Sequence, residues 1–144
     1  MKITIASFDP ALDCTLLAKA VSLELRKQVE VKALEEKRAL DAVALLESIE
    51  STPGRTLLLY PGPLFFEGKT VPSLSKNAGN KCVVSFQPNY AESNEVTDFE
   101  VELVSRSLHA LGHCYGLKHC GKECAMNPRG KAVGYCGKCK SRVY

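Results

Sequence analysis

"HALGHCYGLKH" runs from His109 to His119 and holds every histidine of the chain. His109 and His113 are four residues apart, so on an α-helix both imidazoles lie on one face, a turn apart. Gly116 is placed to stop such a helix and turn the chain back. His119, six residues past His113, can then offer a third nitrogen from outside the helix. Three protein nitrogens leave a fourth position on a zinc ion open for water, which is the pattern of a catalytic rather than a structural site. The stretch therefore predicts a long helix that ends in a metal site. The alternative, three satisfied surface or core histidines, leaves the spacing His-x-x-x-His-x-x-Gly-x-x-His without a reason.

Working outward, the helix extends back from Cys114 to about Ser93. Thr97 and Glu100 offer a capping box, and Ser93 an earlier start. Phe99, Leu103, Val104, Leu108 and Leu111 form its apolar face. Beyond the helix the sequence loses periodicity and becomes rich in Gly, Lys and Cys. Such a segment is expected to be held by something other than a hydrophobic core. Cys120, Cys124, Cys136 and Cys139 supply it: Cys-x-x-x-Cys, eleven residues, then Cys-x-x-Cys. Four thiolates can close a tetrahedral structural zinc site, whose binding energy is folding energy. The alternative is two disulfides, but the chain shows no secretory leader and reads as cytoplasmic, where thiols stay reduced. Cys14, Cys82 and Cys114 are expected to be free core thiols; Cys114 joining the metal site is the other possibility.

The first 90 residues mostly alternate strands and helices. "KITIASF" (2–8) reads as a strand, and Asp9-Pro10 opens a helix that runs to about residue 28. "EVKALEE" (30–36) is a second strand and "LDAVALLESIE" (40–50) a second helix, broken by Pro53-Gly54. "RTLLLY" (55–60) is continuously apolar, as in a strand buried on both faces. "LFFEGKTV" is a short hairpin around Gly68, "SKNAGN" a loop, and "KCVVSFQ" (81–87) a strand ended by Pro88. This order predicts an α/β (α+β) fold: one domain over residues 1–144, with a sheet-and-helix part to about residue 113 and a zinc-stapled segment over 114–144.

The 144 residues carry a net charge of +3. Residues 114–144 hold seven Lys or Arg against Glu123 alone, a net +6, and the rest holds 12 basic and 15 acidic residues, a net −3. Cations around a thiolate cluster explain the basic segment. A zinc-ribbon-like module that binds nucleic acid is the rival reading. It leaves the histidine spacing unexplained, and Tyr115, Tyr135 and Tyr144 offer few stacking faces. No apolar run reaches membrane-helix length. The expected state is a monomer with no membrane and no nucleic-acid partner.

"HALGHCYGLKHC", "CAM" and "CGKC" resemble the archaemetzincins, small zinc metallopeptidases (metalloproteases) of the metzincin clan. The resemblance is specific over about residues 105–139. It implies a compact metzincin-like fold with a mixed twisted sheet and two zinc ions per chain. His109, His113 and His119 would bind the first zinc, and Cys120, Cys124, Cys136 and Cys139 the second. Met126 would be the Met-turn residue beneath the first metal. It also implies a peptide or protein substrate or ligand in a cleft, with "CVVSF" as the rim strand that pairs with it. Cys120 to Cys124, and Met126 to Cys136, are each shorter than in the family pattern, which trims the loop between the metals without preventing ligation.

The third departure concerns chemistry. The family's glutamate after the first histidine is Ala110 here. That glutamate takes the proton of the attacking water and passes it to the leaving amine, help worth about 10²–10⁴-fold. Alanine can do neither, while as a helix former it costs nothing. The metal sites are therefore expected to persist and peptide hydrolysis to be weak or absent. The alternative is an active hydrolase with another base, drawn from Asp98, Glu102, Glu123, Tyr115 or Tyr135.

Overall fold

The computed structural model describes residues 2–34, 41–49, 54–75, 79–86 and 96–144, apart from the side chains of 96–98. Strands β1 (Ile3–Ser7), β2 (Val29–Ala33), β3 (Arg55–Pro61), β6 (Ser73–Ser75) and β7 (Lys81–Phe86) form one mixed sheet in the order β2-β1-β3-β7-β6. β1, β2, β3 and β7 are parallel, and β6 runs antiparallel to β7. Helices α1 (Thr15–Leu25), α2 (Ala42–Glu47), α3 (Val96–Cys114) and α4 (Gly137–Val143) complete the chain with a hairpin of β4 (Leu64–Phe66) and β5 (Lys69–Val71).

The apolar run in β3 is buried on both faces, as expected. Leu57 and Leu59 point with Ile3, Ile5 and Val84 toward α1 and α3. Leu58 points the other way, with Ala6 and Val83, toward Ala42 and Leu45 of α2 and Leu64 of the hairpin. Side-chain alternation along a strand forces this split, so each face needs its own cover. The expected hairpin turns at Glu67 and Gly68, with φ of 51° and 78°. Two successive positive φ values match the right-handed twist of the flanking strands.

Four expectations are corrected. α1 starts at Thr15 rather than at Pro10, because the side chains of Asp9 and Asp13 accept the N–H groups of Ala11 and Thr15 and form turns instead. "CVVSF" is not the rim strand. β7 lies between β3 and β6, and among the described residues the short β6, which has no periodic signal, is the edge on that side, β2 being the other. The C-terminal segment does not lack a hydrophobic core: Leu117, Met126, Tyr135, Cys139 and Val143 are buried in the cluster beneath α1 and α3. Finally, that segment contains α4, too short and too poor in helix formers to signal itself. The expectations for Ser93, the Thr97 side chain and Pro88 fall outside the described residues.

Glu24 of α1 fastens the C-terminal segment. Its carboxylate accepts the backbone N–H of Tyr135 at 2.7 Å and lies 3.7 Å from the Lys140 ammonium, while its carbonyl accepts the Tyr144 hydroxyl. No local pattern announces a contact across 111 residues. Glu24→Ala leaves a part-buried N–H unpaired and is expected to cost about 1.5–3 kcal/mol. Chemical denaturation of the zinc-saturated protein reads this directly; an unchanged midpoint would rule out the clasp.

Candidate metal centre and cleft

α3 ends as its sequence requires. Gly116, at φ 87°, donates its N–H to the His113 carbonyl, and Leu117 donates to the Gly112 carbonyl. This pair of bonds is the Schellman motif, which needs a left-handed residue at the position Gly116 fills. The reversal brings His119 back against the helix. Its ring centroid lies 5.2 Å from that of His109 and 5.1 Å from that of His113.

The two helical rings are fixed by carbonyls. His109 Nδ1 is 2.9 Å from the Ala125 carbonyl oxygen and His113 Nδ1 is 2.9 Å from that of Leu117. A carbonyl only accepts, so in the neutral rings each Nδ1 carries the proton and each Nε2 is left with a lone pair. The two Nε2 atoms then face each other at 3.2 Å with no proton between them. Two lone pairs at that distance repel unless a cation sits between them. Tetrahedral zinc with bonds of about 2.0–2.1 Å would set its nitrogens about 3.3 Å apart. Burial, foremost, holds both rings below the ordinary imidazole range, which favours the neutral, ligating form. The three histidines thus form a donor set that fits a metal ion, all ligand atoms lying within 4.8 Å of one another.

That neutrality has a pH consequence. A depressed imidazole is stabilising above its unfolded value of about 6.5 and loses that contribution as pH falls. Below pH 6.5 the unfolded chain takes up protons that His109 and His113 resist, and metal retention competes with the same protons. Metal is therefore expected to leave the histidine site progressively as pH falls from about 6.5 to 5, followed by dialysis and elemental analysis. Full retention at pH 5 would contradict it.

The four cysteines gather in the same way. Cys120, Cys124, Cys136 and Cys139 have their sulphurs within 4.8 Å of one another. Cys120 and Cys136 are 3.9 Å apart, and the fully buried Cys124 sulphur accepts the N–H groups of Met126 and Cys136 at 3.4 and 3.3 Å. Cys136 caps α4, and the backbone N–H of Cys139 draws its thiol down to about 7, whereas burial pushes Cys139 up to about 12. Two N–H groups aimed at a buried sulphur stabilise a thiolate. Four clustered sulphurs can ionise together only around a cation. Cys14, Cys82 and Cys114 are buried and free, and Cys114 shares a hydrogen bond with Cys82 instead of joining the metal cluster.

Met126 is fully buried, and a Cβ on Gly112 would strike its sulphur, so the helix carries glycine where the methionine packs against it. Met126→Ala is expected to cost about 2–5 kcal/mol through the cavity it leaves. Gly112→Ala alone overpacks the same space, by about 1–3 kcal/mol. In the double variant the new methyl enters the vacated volume, so the combined cost should fall below the sum. Strict additivity in a double-mutant cycle would show that the two do not share that volume.

The histidines floor a cleft of about 560 Å³. Its lining includes Ser73, Leu74 and Ser75 of β6 and the turn from Asn127 to Lys131. Glu102 and Arg106 lie along the helix. Sequence reasoning did not single out β6, Arg106 or Asn127, because what unites them is this surface and not any motif. Ala110 is fully buried in the core beside the histidines.

The substitutes for a general base are poorly placed. Glu102 lines the cleft, but its carboxylate is 2.6 Å from the Arg106 guanidinium. It also stands seven residues, about 10.5 Å of helix rise, before His109. Glu123 lines an adjoining depression beside Lys122, which shares Asn127, Gly130 and Lys131 with the cleft but is not lined by the histidines. The buried Tyr135 hydroxyl donates to the Leu108 carbonyl at 2.6 Å, and the Tyr115 ring lies 4.5 Å under the Arg55 guanidinium. The Asp98 side chain is outside the described residues.

A family model, Peptidase family M54, matches residues 56–143. In fold the chain is similar to the archaemetzincin of Methanopyrus kandleri, at TM-score 0.80 and 21% identity over 99% of this chain and 93% of that one. It is similar to the archaemetzincin of Archaeoglobus fulgidus, solved with malonate, at 0.77 and 20% over 99% of each. It is also similar to a zinc-dependent peptidase of Methanocorpusculum labreanum, at 0.79 and 19% over 99% and 100%. Among curated proteins none matches.

Proposed function

This chain belongs to peptidase family M54, and from that premise we propose that it is a two-zinc protein that holds a peptide in its cleft and hydrolyses it weakly or not at all. His109, His113 and His119 hold the first zinc and Cys120, Cys124, Cys136 and Cys139 the second. Met126 serves as the Met-turn floor of the first. The observation that carries the reading is the pair of facing Nε2 lone pairs, built for a metal on a helix whose base position is Ala110.

Zinc bound there would polarise a peptide carbonyl and acidify water to a pKa of about 7. The chain's own residues do the rest. β6, an edge strand among the described residues and part of the cleft lining, offers backbone partners to an extended peptide. The Ala125 and Leu117 carbonyls keep the imidazoles in the ligating tautomer. Among the described residues no free group beside the histidines is placed to move a proton from water to a leaving amine: Ala110 has no titratable atom, and Glu102 is engaged by Arg106.

The experiment is zinc analysis of protein purified without chelator or histidine tag, with a peptide-cleavage assay. The expected result is two zinc ions per chain and cleavage no faster than buffer. One zinc per chain would remove the histidine site from the reading. Cleavage that chelators abolish would establish an active hydrolase with a different base.

A further inference from the structure

We propose that the peptide held in this cleft is acidic; the inference rests on the peptide-holding reading above and adds the chemistry that selects the ligand. Among the described residues three cations line the cleft, Arg106, Arg129 and Lys131, and one carboxylate, that of Glu102. Glu102 is spent on Arg106, whose guanidinium also donates to the Ser85 carbonyl at 3.2 Å. Arg129 and Lys131 are exposed and have no ion-pair partner among the described residues.

Their turn is held in place. The Asn127 N–H donates to the Cys124 carbonyl and its side-chain amide donates to the Lys122 carbonyl. Asn127 in turn accepts from the N–H groups of Arg129 and Gly130. The two cations are therefore carried by a turn tied to the four-cysteine cluster, in the same cleft lining as β6. Ala110 places no carboxylate on the site. A metal ion between the imidazoles adds positive charge, so an entering carboxylate meets attraction from floor and wall. A lysine-bearing peptide meets repulsion from both.

The test uses the zinc-loaded full chain and two fluorescein-labelled octapeptides of Ser and Leu, one carrying three Glu and the other three Lys. Binding is followed by fluorescence anisotropy at low and high salt. The Glu peptide is expected to bind about tenfold more tightly, from two partly screened charge contacts. The preference should shrink at high salt and reverse in Arg129→Glu/Lys131→Glu. Should that variant lose zinc, Arg129→Ala/Lys131→Ala reads the same effect as a preference near one. Equal affinity for both peptides would overturn the acidic assignment and leave the peptide-holding reading standing. Binding of neither would overturn both. A preference untouched by the variants would overturn it, as would a single-stranded oligonucleotide that binds more tightly and displaces the Glu peptide.

Discussion

The Ala110→Glu variant is expected to acquire peptide cleavage that chelators abolish, at about 10²–10⁴ times the rate of the unmodified protein. On a scale of about 1.36 kcal/mol per decade this is on the order of 3–5 kcal/mol of barrier. The donor set is already in place: two imidazoles with inward lone pairs and a third ring returned by the Gly116 reversal. What is missing is a group that takes a proton from water and returns it to the amine. Ala110 is fully buried, so the longer side chain must turn toward the histidines or displace its neighbours. Overpacking of that kind costs about 1–3 kcal/mol, which is affordable only if the chain remains folded, so a melting curve accompanies the assay. Ala110→Gln, of nearly the same volume, should remain silent. Cleavage by the glutamine variant would assign the gain to packing. A folded, zinc-loaded Ala110→Glu that stays silent would mean that the cleft has departed from hydrolysis in more than its base.

The second large effect is expected at Cys124. Cys124→Ser should remove one zinc per chain and unfold the segment from Cys120 to Val143, lowering the melting temperature by at least about 10 °C. Cys124 is the most enclosed ligand of its cluster, with no solvent exposure and two backbone N–H groups on its sulphur. Structural zinc contributes about 10–16 kcal/mol to the folding of zinc-finger peptides. That rivals the whole stability of a domain, about 5–15 kcal/mol. The damage should also spread. Met126 and the Ala125 carbonyl, which supports His109, lie in the same segment, so the histidine site should weaken too. Hydrogen exchange that leaves residues 120–143 as protected as before would show that the buried contacts of Tyr135 and Val143 hold the segment without the metal.

Some of this protein was legible in the chain alone. The strands read over 2–8, 30–36, 55–60 and 81–87 overlap β1, β2, β3 and β7, and these, helix α3 and the three-histidine and four-cysteine groups follow from local rules. Side chains alternate along strands and recur each turn on helices, so apolar residues print those periods into the sequence. Metal ligands are chemically rare residues whose spacing is set by one turn of helix or one tight loop, so His109, His113 and the Cys-x-x-Cys pair are read without coordinates. The resemblance to the archaemetzincins singles out Ala110, where that family carries a glutamate.

Tertiary structure alone decided the rest. The sheet edge that lines the cleft is β6, three residues with no period, which exist as a strand only because β7 offers them an unpaired side. α4 forms where Cys136, Cys139 and Val143 dock, since seven residues do not repay helix nucleation by themselves. The Glu24 clasp and the Met126 passage over Gly112 join residues that no sequence window contains. So does the cleft, whose walls come from β6 and from a turn more than fifty residues later. Local periodicity and rare ligands are properties of neighbours along the chain. An edge, a docked helix and a charged cleft are properties of neighbours in space, and these come into being only when the core brings distant segments together.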